Sequence, residues 1–509
     1  MRTQPLPRIG ASIAASALLL TGCAGAGTTA GSTDSLNIGS RTAPQGFDPV
    51  NAIGSALPYY QAVYDTLIKR EPDGSYSPML ATAWDLDPTR TTLSLTLRQG
   101  VAFGDGTPFN AEAVKANLER FKNTPGSNTR WLTDLDAVDV VDPAHVELKL
   151  KQPNPAMLYY LSDSAGLMAN PAKFAQPESL KAAPDGTGPY KLNAAKTVTG
   201  TKWVYERNDQ YWGTKLPYKT VTYNYFDNET AIVNGLKSGQ LNAAVLLDAD
   251  QQLAVESGFK TKSTPQNFDF SCLMLLDRDG VLTPALKDVR VRQALNYAVD
   301  RQTMLRSLQR GKGEVTSQVF GTQAPGYKKE LDGYYTYDPA KAKALLDQAG
   351  YGKGFTLKLP RPVGMVSDAL AASLQTDFKA IGVTVVWDQF DPTQLVQKVF
   401  TGRQYSGLVM NLGQYSNDWA VANDWVAPGP FNMFGNTDPT IQDLMAKMKT
   451  DTGDQEKADA QALNQRLVEQ AWFLPFYRVT YLHVTDGTVS VVPQDGMASP
   501  SIYNYTPAK

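Results

Sequence analysis

The stretch LRQGVAFGDGTPFNAE, residues 97–112, joins the end of a strand to the start of a helix through a glycine-rich turn. Just upstream, residues 92–98 alternate strictly between polar and apolar side chains, which is the period of a strand with one buried face. Asn110 is placed to cap the helix. The helix then has an apolar stripe at helical spacing, formed by Val114, Leu118 and Phe121. This stretch predicts a mixed α and β fold.

Other segments follow the same two periods, with Gly and Pro between them. HVELKL (145–150) alternates like a half-buried strand. DPAKAKALLDQAG (338–350) predicts a helix, because it has an N-cap acid, a proline at the first helical position and a glycine after the last turn. Residues 367–381 repeat this helical design and precede a predicted strand at 383–387. A helix followed by a strand favours an α/β architecture.

Length and composition exclude several classes of protein. With 509 residues, 42% of them hydrophobic, the chain can bury a large core without disulfide or metal support. Its formal charge of −2 leaves no basic surplus for binding nucleic acid or an anionic bilayer. The sequence contains no internal repeat and no heptad array, so solenoids and coiled coils are disfavoured.

The first residues predict an export signal. Arg2 and Arg8 provide a positive region, and residues 9–20 form an apolar run. A membrane-spanning helix needs roughly 20 apolar residues, so this run is too short to be one. Residues 1–22 are therefore predicted to be a signal peptide.

A lipid attachment site is predicted directly after this signal. The run ends in LTGC (20–23), which resembles the bacterial lipobox, and the resemblance implies cleavage before Cys23 and diacylglycerol on its sulfur. The small and polar residues that follow predict a flexible tether over residues 23–35.

The residue patterns of common active sites are missing from the sequence. It contains no HExxH, no GxSxG and no Walker A loop. His145 and His483 belong to no metal-ligand cluster, and Cys272 lies in an apolar run that predicts a buried small hydrophobe. With Cys23 lipidated, Cys272 has no partner for a disulfide. We therefore predict no cofactor, no metal site and no enzymatic activity. Paired carboxylates, as in a hydrolase, stay open.

Over nearly its whole mature length the chain resembles the bacterial extracellular solute-binding proteins of family 5, the dipeptide, oligopeptide and nickel-binding group of ABC importers. The 97–112 stretch resembles the family's signature region most specifically. Further matching segments occur in the family's order: YDTL (64–67), DG (73–74), LATAW (80–84), GTGPYK (186–191), RNDQYWG (207–213) and VRVRQALNYAVDR (289–301). These are mostly turns, caps and packing residues, so they indicate the fold more than ligand contacts. Residues 289–301 predict an amphipathic core helix.

The resemblance implies an α/β, two-lobed periplasmic-binding-protein fold, type II and cluster C-like, with an extra subdomain inserted in the first lobe. It implies that the core of lobe I comprises residues 36–56, 186–268 and 478–509. The inserted subdomain would then comprise residues 57–185, and lobe II residues 269–477.

The resemblance also implies the function. A ligand is enclosed between the two lobes, and hinge closure presents a new surface to the permease. Peptides in such clefts are bound largely through main-chain hydrogen bonds, and their two termini need partners of opposite charge. We therefore expect a monomeric, extracytoplasmic lipoprotein, anchored in the cell membrane through Cys23. Its partners would be a peptide or other small molecule and the ABC permease subunits.

The resemblance nominates candidate ligand contacts. Asp418 lies near the place where peptide binders carry an acid for the ligand's amine, and Asp424 is the alternative. Arg361 lies where some relatives place an arginine that suits a carboxylate. The aromatic candidates for the cleft are Tyr415, Trp419 and Trp425. The chain departs from the family here, because the expected DYPDP-like run is absent. Roles as capping acid, turn residue or core aromatic stay open.

Two other functions stay open. The same fold could serve uptake of a metal chelate or another small molecule, which predicts a cleft lined by arginines or aromatics and no acid at the amine end. A secreted hydrolase would need two carboxylates roughly 5–9.5 Å apart if it were a glycosidase.

The lipid anchor makes the first testable prediction. Cys23→Ser removes the acylated sulfur, so the protein is expected to move from the membrane pellet to the soluble fraction. Cys272→Ser is the matched control and should leave this partition unchanged. Retention of the Cys23→Ser variant in the membrane would contradict the prediction.

Overall fold

The structure, a computed structural model, describes residues 34–126, 128–257 and 261–509. The predicted signal peptide (1–22), the lipid attachment site Cys23 and nearly all of the predicted tether (23–35) lie outside the described residues. Both strands and helices occur along the whole described chain, as the sequence predicts.

The strands are β1 Ser35–Ser40, β2 Ile68–Arg70, β3 Tyr76–Pro78, β4 Ala81–Leu86, β5 Thr92–Leu97, β6 Leu135–Asp142, β7 His145–Leu150, β8 Tyr190–Leu192, β9 Lys202–Arg207, β10 Thr220–Tyr225, β11 Ala243–Leu246, β12 Lys262–Leu275, β13 Glu314–Val315, β14 Thr356–Pro362, β15 Thr384–Phe390, β16 Gly407–Gly413, β17 Phe473–Thr485, β18 Val489–Val491 and β19 Tyr505–Pro507. The α-helices are α1 Leu57–Gln61, α2 Ala111–Asn123, α3 Met157–Leu161, α4 Glu229–Lys237, α5 Ala249–Glu256, α6 Val289–Ala298, α7 Arg301–Leu308, α8 Pro339–Gln348, α9 Asp368–Ala380, α10 Asp418–Trp425, α11 Pro439–Thr450 and α12 Gly453–Glu469.

A large mixed sheet, with nine strands among the described residues, organises the fold. Its order is β16-β12-β17-β11-β1-β10-β9-β8, and β13 pairs with β17 outside that path. Among the described residues, the parallel pairs of this sheet are β1 with β10 and β1 with β11, and its other pairs are antiparallel. A second, four-stranded antiparallel sheet, β4-β5-β7-β6, packs against α2.

Strands β12 and β17 connect the two halves of the large sheet. The end of β17 pairs with both β11 and the start of β12, whereas the end of β12 pairs with β16. The β12–β17 register shifts between Asn267 and Asp269, which makes Phe268 an extra residue in the ladder. Such a bulge bends a strand and redirects the side chains next to it.

The 97–112 stretch folds as predicted. β5 and α2 flank the turn, and Asn110 Oδ1 accepts a hydrogen bond from the Ala113 N–H at 3.0 Å. The predicted apolar stripe of α2 is buried: Val114, Leu118 and Phe121. Local period and capping therefore determine this part of the fold.

The other predicted strands and helices are confirmed as well. β7 has the predicted bounds, and α9 and β15 occupy the predicted positions. At α8, Asp338 Oδ1 accepts a hydrogen bond from the Lys341 N–H at 2.8 Å, and Gly350 follows the helix with a φ of +84°. That positive φ explains why a glycine ends this helix.

The predicted single helix at residues 289–301 is wrong at its C-terminal end. α6 stops at Ala298, and α7 begins at Arg301. Asp300 Oδ1 accepts a hydrogen bond from the Thr303 N–H at 2.9 Å, so this acid caps a second helix and the first does not continue. The core face of α6 is buried as predicted: Val291, Ala294, Leu295 and Ala298.

Cys272 is fully buried, as predicted, and burial raises the pKa of its thiol. None of the helices in the described ranges combines the length and apolar character needed to cross a membrane. Those ranges also contain no group of three or more His, Cys, Asp or Glu side chains arranged to bind a metal ion.

Asp65 joins segments that are distant in sequence. Its Oδ1 accepts hydrogen bonds from the hydroxyls of Tyr503 (2.6 Å) and Tyr211 (3.0 Å), and its Oδ2 from Trp212 Nε1 (2.8 Å) and the Thr187 hydroxyl (2.9 Å). The carboxylate is almost fully buried, and burial raises its pKa to about 6 against the effect of these donors. The C-terminal segment is thereby connected to the start of the chain.

Asp65→Ala is expected to lower the free energy of unfolding by about 2–5 kcal/mol, because four donors lose a buried acceptor. Urea unfolding followed by tryptophan fluorescence measures this change. The control is Asp73→Ala, whose exposed carboxylate accepts hydrogen bonds from Ser75 alone among the described residues, and it should leave the free energy of unfolding near the wild-type value. Equal losses for the two variants would contradict the role of Asp65.

Candidate ligand-binding site

A cavity of about 650 Å³ lies between two walls that come from distant parts of the chain. The first wall includes Asn128, Arg130, Trp131, Tyr159 and Asp163. The second wall includes Val396, Phe400, Tyr415, Trp425 and Phe431. β12 contributes Phe268 and Asp269, which flank the register shift. The bulged strand therefore reaches the cavity where the two halves of the large sheet meet.

Aromatic rings dominate both walls. Trp131 stacks on Tyr160 with 4.8 Å between ring centroids and 9° between planes. In the second wall, Tyr415 stacks on Trp425 at 5.8 Å. Tyr159 and Tyr415 come from opposite walls, and their ring centroids are 5.6 Å apart. A cavity of this kind favours ligands with an apolar, planar or cationic part.

An ion pair connects the two walls. Arg130 Nη2 lies 2.9 Å from Asp424 Oδ1, with the Asp424 side chain fully buried and the Arg130 side chain one-third exposed. Burial raises the pKa of Asp424, and the neighbouring guanidinium opposes this shift. Arg130 lines the cavity and Asp424 does not, so the guanidinium is the member of the pair that a ligand meets.

A second ion pair lies beside the first wall. Arg70 Nη2 is 2.9 Å from Asp163 Oδ2, and both side chains are buried. The Arg70 guanidinium also lies 4.4 Å from the centroid of the Tyr159 ring. The charge of Asp163, which lines the cavity, is therefore already paired within the protein.

Asp269 differs from these two acids. It is half-buried, it lines the cavity, and its Oδ2 accepts a hydrogen bond from the Tyr481 hydroxyl. No Lys, Arg or His in the described part of the chain lies within ion-pair distance of it. Burial raises the pKa of Asp269 to about 6, and the hydrogen bond from Tyr481 opposes the shift.

Three of the residues predicted to contact ligand lie at the cavity. Tyr415 and Trp425 line it, and Asp424 lies next to it as the buried partner of Arg130. These three residues lie on α10 and the loop before it.

Asp418 does not line this cavity. It begins α10, and its Oδ1 accepts a hydrogen bond from the Gly326 N–H at 3.0 Å. Six residues at about 100° each place Asp418 and Asp424 on different faces of the helix. Of the two acids nominated for the ligand's amine, only Asp424 therefore lies beside the cavity.

Trp419 and Arg361 also lie away from the cavity. Trp419 is buried, and the ammonium of Lys449 lies 5.3 Å from its ring centroid. Arg361 pairs with Asp368 at the start of α9. These positions fit the alternatives left open above, in which Trp419 is a core aromatic and Arg361 a turn residue.

Sequence reasoning missed Asp269 and Arg130. Asp269 had a usable signal, because an acid interrupts the apolar strand FDFSCLMLL (268–276). Arg130 had no usable signal in the sequence, because a lone arginine before an aromatic residue is ordinary in a surface turn.

Comparisons with known proteins agree with this geometry. The family model for bacterial extracellular solute-binding proteins, family 5 Middle, matches residues 75–433. Glutathione-binding protein GsiB of Salmonella typhimurium is 29% identical over 416 residues, which are 77% of this chain and 78% of that protein. The nickel-binding periplasmic protein of Escherichia coli (strain K12) is 29% identical over 351 residues, 64% of this chain and 65% of that protein.

A solved structure shows the same fold. The periplasmic binding protein DppA from Helicobacter pylori, in complex with the peptide STSA, superimposes with a TM-score of 0.81 at 18% identity. The likeness covers 93% of this chain and 98% of that chain. The large sheet with its crossing strands and the cavity between two walls are thus those of a two-lobed α/β periplasmic-binding-protein fold, as predicted.

The chain belongs to the bacterial extracellular solute-binding proteins of family 5. Proteins of this family bind small ligands and deliver them to ABC permeases. The relatives are transport binding proteins and not enzymes.

Asp418 generates a prediction about stability and pH. Burial raises its pKa to about 7, whereas an unfolded Asp titrates near about 3.9. Between these values the native state retains a proton that the unfolded state releases, so the free energy of unfolding falls as pH rises from about 4 to 7 and then levels off.

In the wild type this fall in the free energy of unfolding is on the order of 2–4 kcal/mol, and Asp418→Asn should remove it. Urea unfolding of both proteins at several pH values between 4.5 and 7.5 measures it. Parallel pH profiles for the two proteins would show that Asp418 is not the group responsible.

Proposed function

We propose that this chain is an extracytoplasmic lipoprotein that captures peptides in the cavity by hinge closure and delivers them to an ABC permease. The observation that carries the proposal is the aromatic cavity, whose lining includes an arginine and an acid that has no basic partner among the described residues. Its volume falls within the roughly 300–1,000 Å³ typical of small-molecule sites. A peptide has a positive and a negative terminus, so its binding site needs both an acidic and a basic side chain.

The relatives support a peptide ligand. GsiB is named for glutathione, which is a tripeptide, and the DppA structure contains a bound peptide. The positive end of the cavity in this proposal is Arg130, whose planar guanidinium suits a carboxylate. Arg361, nominated from the sequence, is replaced in this role because it does not line the cavity.

A metal chelate is the competing ligand, since one relative is named for nickel. That alternative predicts a cleft with arginines or aromatics and no acid for an amine. The lining of this cavity includes Asp269, which has no basic partner among the described residues, so the peptide is favoured. A hydrolase would need two free carboxylates in the cleft, but Asp163 is paired with Arg70.

We further propose that the lobes divide as the sequence predicted, with lobe I from residues 36–56, 186–268 and 478–509 and the insertion from 57–185. Lobe II then comprises 269–477. The support is the change of strand partners along β12, where the register shift falls between Asn267 and Asp269.

Native mass spectrometry of the protein lacking residues 1–22 tests the ligand class. Peptides are expected to leave the wild-type protein on gentle denaturation. Trp425→Ala, which opens the cavity lining, should lose them, because truncating a buried aromatic contact costs about 2 kcal/mol or more of binding.

Trp419→Ala is the matched control for that experiment. It lies on the same helix and is equally buried but does not line the cavity, so it should retain the peptides. Release of a metal complex or a sugar from the wild type would contradict the proposal. If the protein is purified empty, the absence of any thermal shift with dipeptide and tripeptide libraries would also contradict it.

A further inference from the structure

Charge pairing around the cavity leaves one acid without a cation. Asp163 has Arg70, and Asp424 has Arg130, each pair at 2.9 Å. Asp269 receives only the Tyr481 hydroxyl, on Oδ2, and its Oδ1 accepts no hydrogen bond from the described residues. A half-buried carboxylate in this state is an unmatched negative charge.

Aromatic rings surround this carboxylate. Phe268, its neighbour in the bulge, packs edge-on against Tyr481 at 5.9 Å and lines the cavity. Tyr159 and Tyr415 line the same cavity with their rings 5.6 Å apart. The faces of such rings attract cations, and they do so most strongly when water is excluded.

A glycine in the sheet brings an aromatic ring close to Asp269. Gly413 of β16 lies directly opposite Asp269, and opposite residues of an antiparallel pair project to the same face. A Cβ at Gly413 would lie 2.7 Å from Tyr415 Cε1 and 3.4 Å from Phe268 Cζ. The glycine therefore lets the Tyr415 ring pack directly against the backbone opposite the acid.

We propose that Asp269 and the aromatic rings around it form a subsite for a cationic group of the ligand, an ammonium or a guanidinium. The inference rests on the proposed role of this cavity as the ligand site. The cation completes the charge pairing at Asp269 and contacts the ring faces of Tyr159 and Tyr415. Tyr481 is a positioning residue, because its hydroxyl orients the carboxylate and lies outside the cavity lining.

Two probes that differ only in charge test the subsite: 2-phenylethylammonium and the neutral 2-phenylethanol. Isothermal titration calorimetry at constant ionic strength should show that wild-type protein prefers the ammonium by about tenfold or more. Asp269→Asn keeps the shape of the side chain and should reduce this preference to less than about threefold. Asp418→Asn, a buried acid outside the cavity, should keep the wild-type preference.

Tyr415→Leu tests the aromatic part of the subsite while Asp269 stays in place. It should weaken binding of the ammonium about three- to tenfold and affect the alcohol less, because only the cation interacts with the ring quadrupole. Circular dichroism and thermal unfolding establish that each variant is folded. No preference for the ammonium in the wild type, or an unchanged preference in Asp269→Asn, would overturn the inference.

The peptide Ala-Phe and its N-acetylated form separate this inference from the proposed function. If Ala-Phe or other peptides bind wild type and Asp269→Asn equally well, the subsite is wrong and the peptide role stands. If no peptide binds but the ammonium preference depends on Asp269, the subsite stands and the peptide role fails. If acetylation weakens binding to wild type but not to Asp269→Asn, the result supports both the subsite and the peptide role.

Discussion

Strands β12 and β17 pair from Lys262 with Thr485 to Met274 with Phe473, and the two walls of the cavity take their positions from this pairing. Each strand also has a second partner, β16 for β12 and β11 for β17, so both halves of the sheet share the same hydrogen-bonded ribbon. The register shift at Phe268 lies where the partners change. A bulge bends its strand and interrupts the ladder locally, so the two halves of the sheet meet at a bend.

Burial of carboxylates determines much of the electrostatics around this ribbon. A buried acid is costly unless donors or cations surround it. Asp65 is satisfied by four neutral donors, and Asp424 is paired in charge with an arginine from the opposite wall. Asp269 has one hydroxyl and otherwise faces the cavity. Of Asp163 and Asp269, which both line the cavity, Asp269 is thus the one with no cation partner among the described residues.

The candidate site was predicted in part. Tyr415 and Trp425, which the sequence nominated, line the cavity. Asp418 was nominated ahead of Asp424, yet of these two acids only Asp424 lies beside the cavity. The rotation of α10 about its own axis, its phase, decides which face of the helix meets the cavity. That phase depends on packing against the rest of the lobe and has no local signal in the sequence.

The sequence by itself determined the strands, the helices and most of their caps, because period, N-cap acids and glycines act over a few residues. It also determined the family, since the matched turns and caps recur in order along the chain. Only the tertiary structure decided which charges meet. Arg130 and Asp424 are far apart in sequence, and Asp269 reaches the cavity through a bulge in a strand pairing. Such contacts depend on how distant segments pack together, and no local sequence pattern encodes which segments will meet.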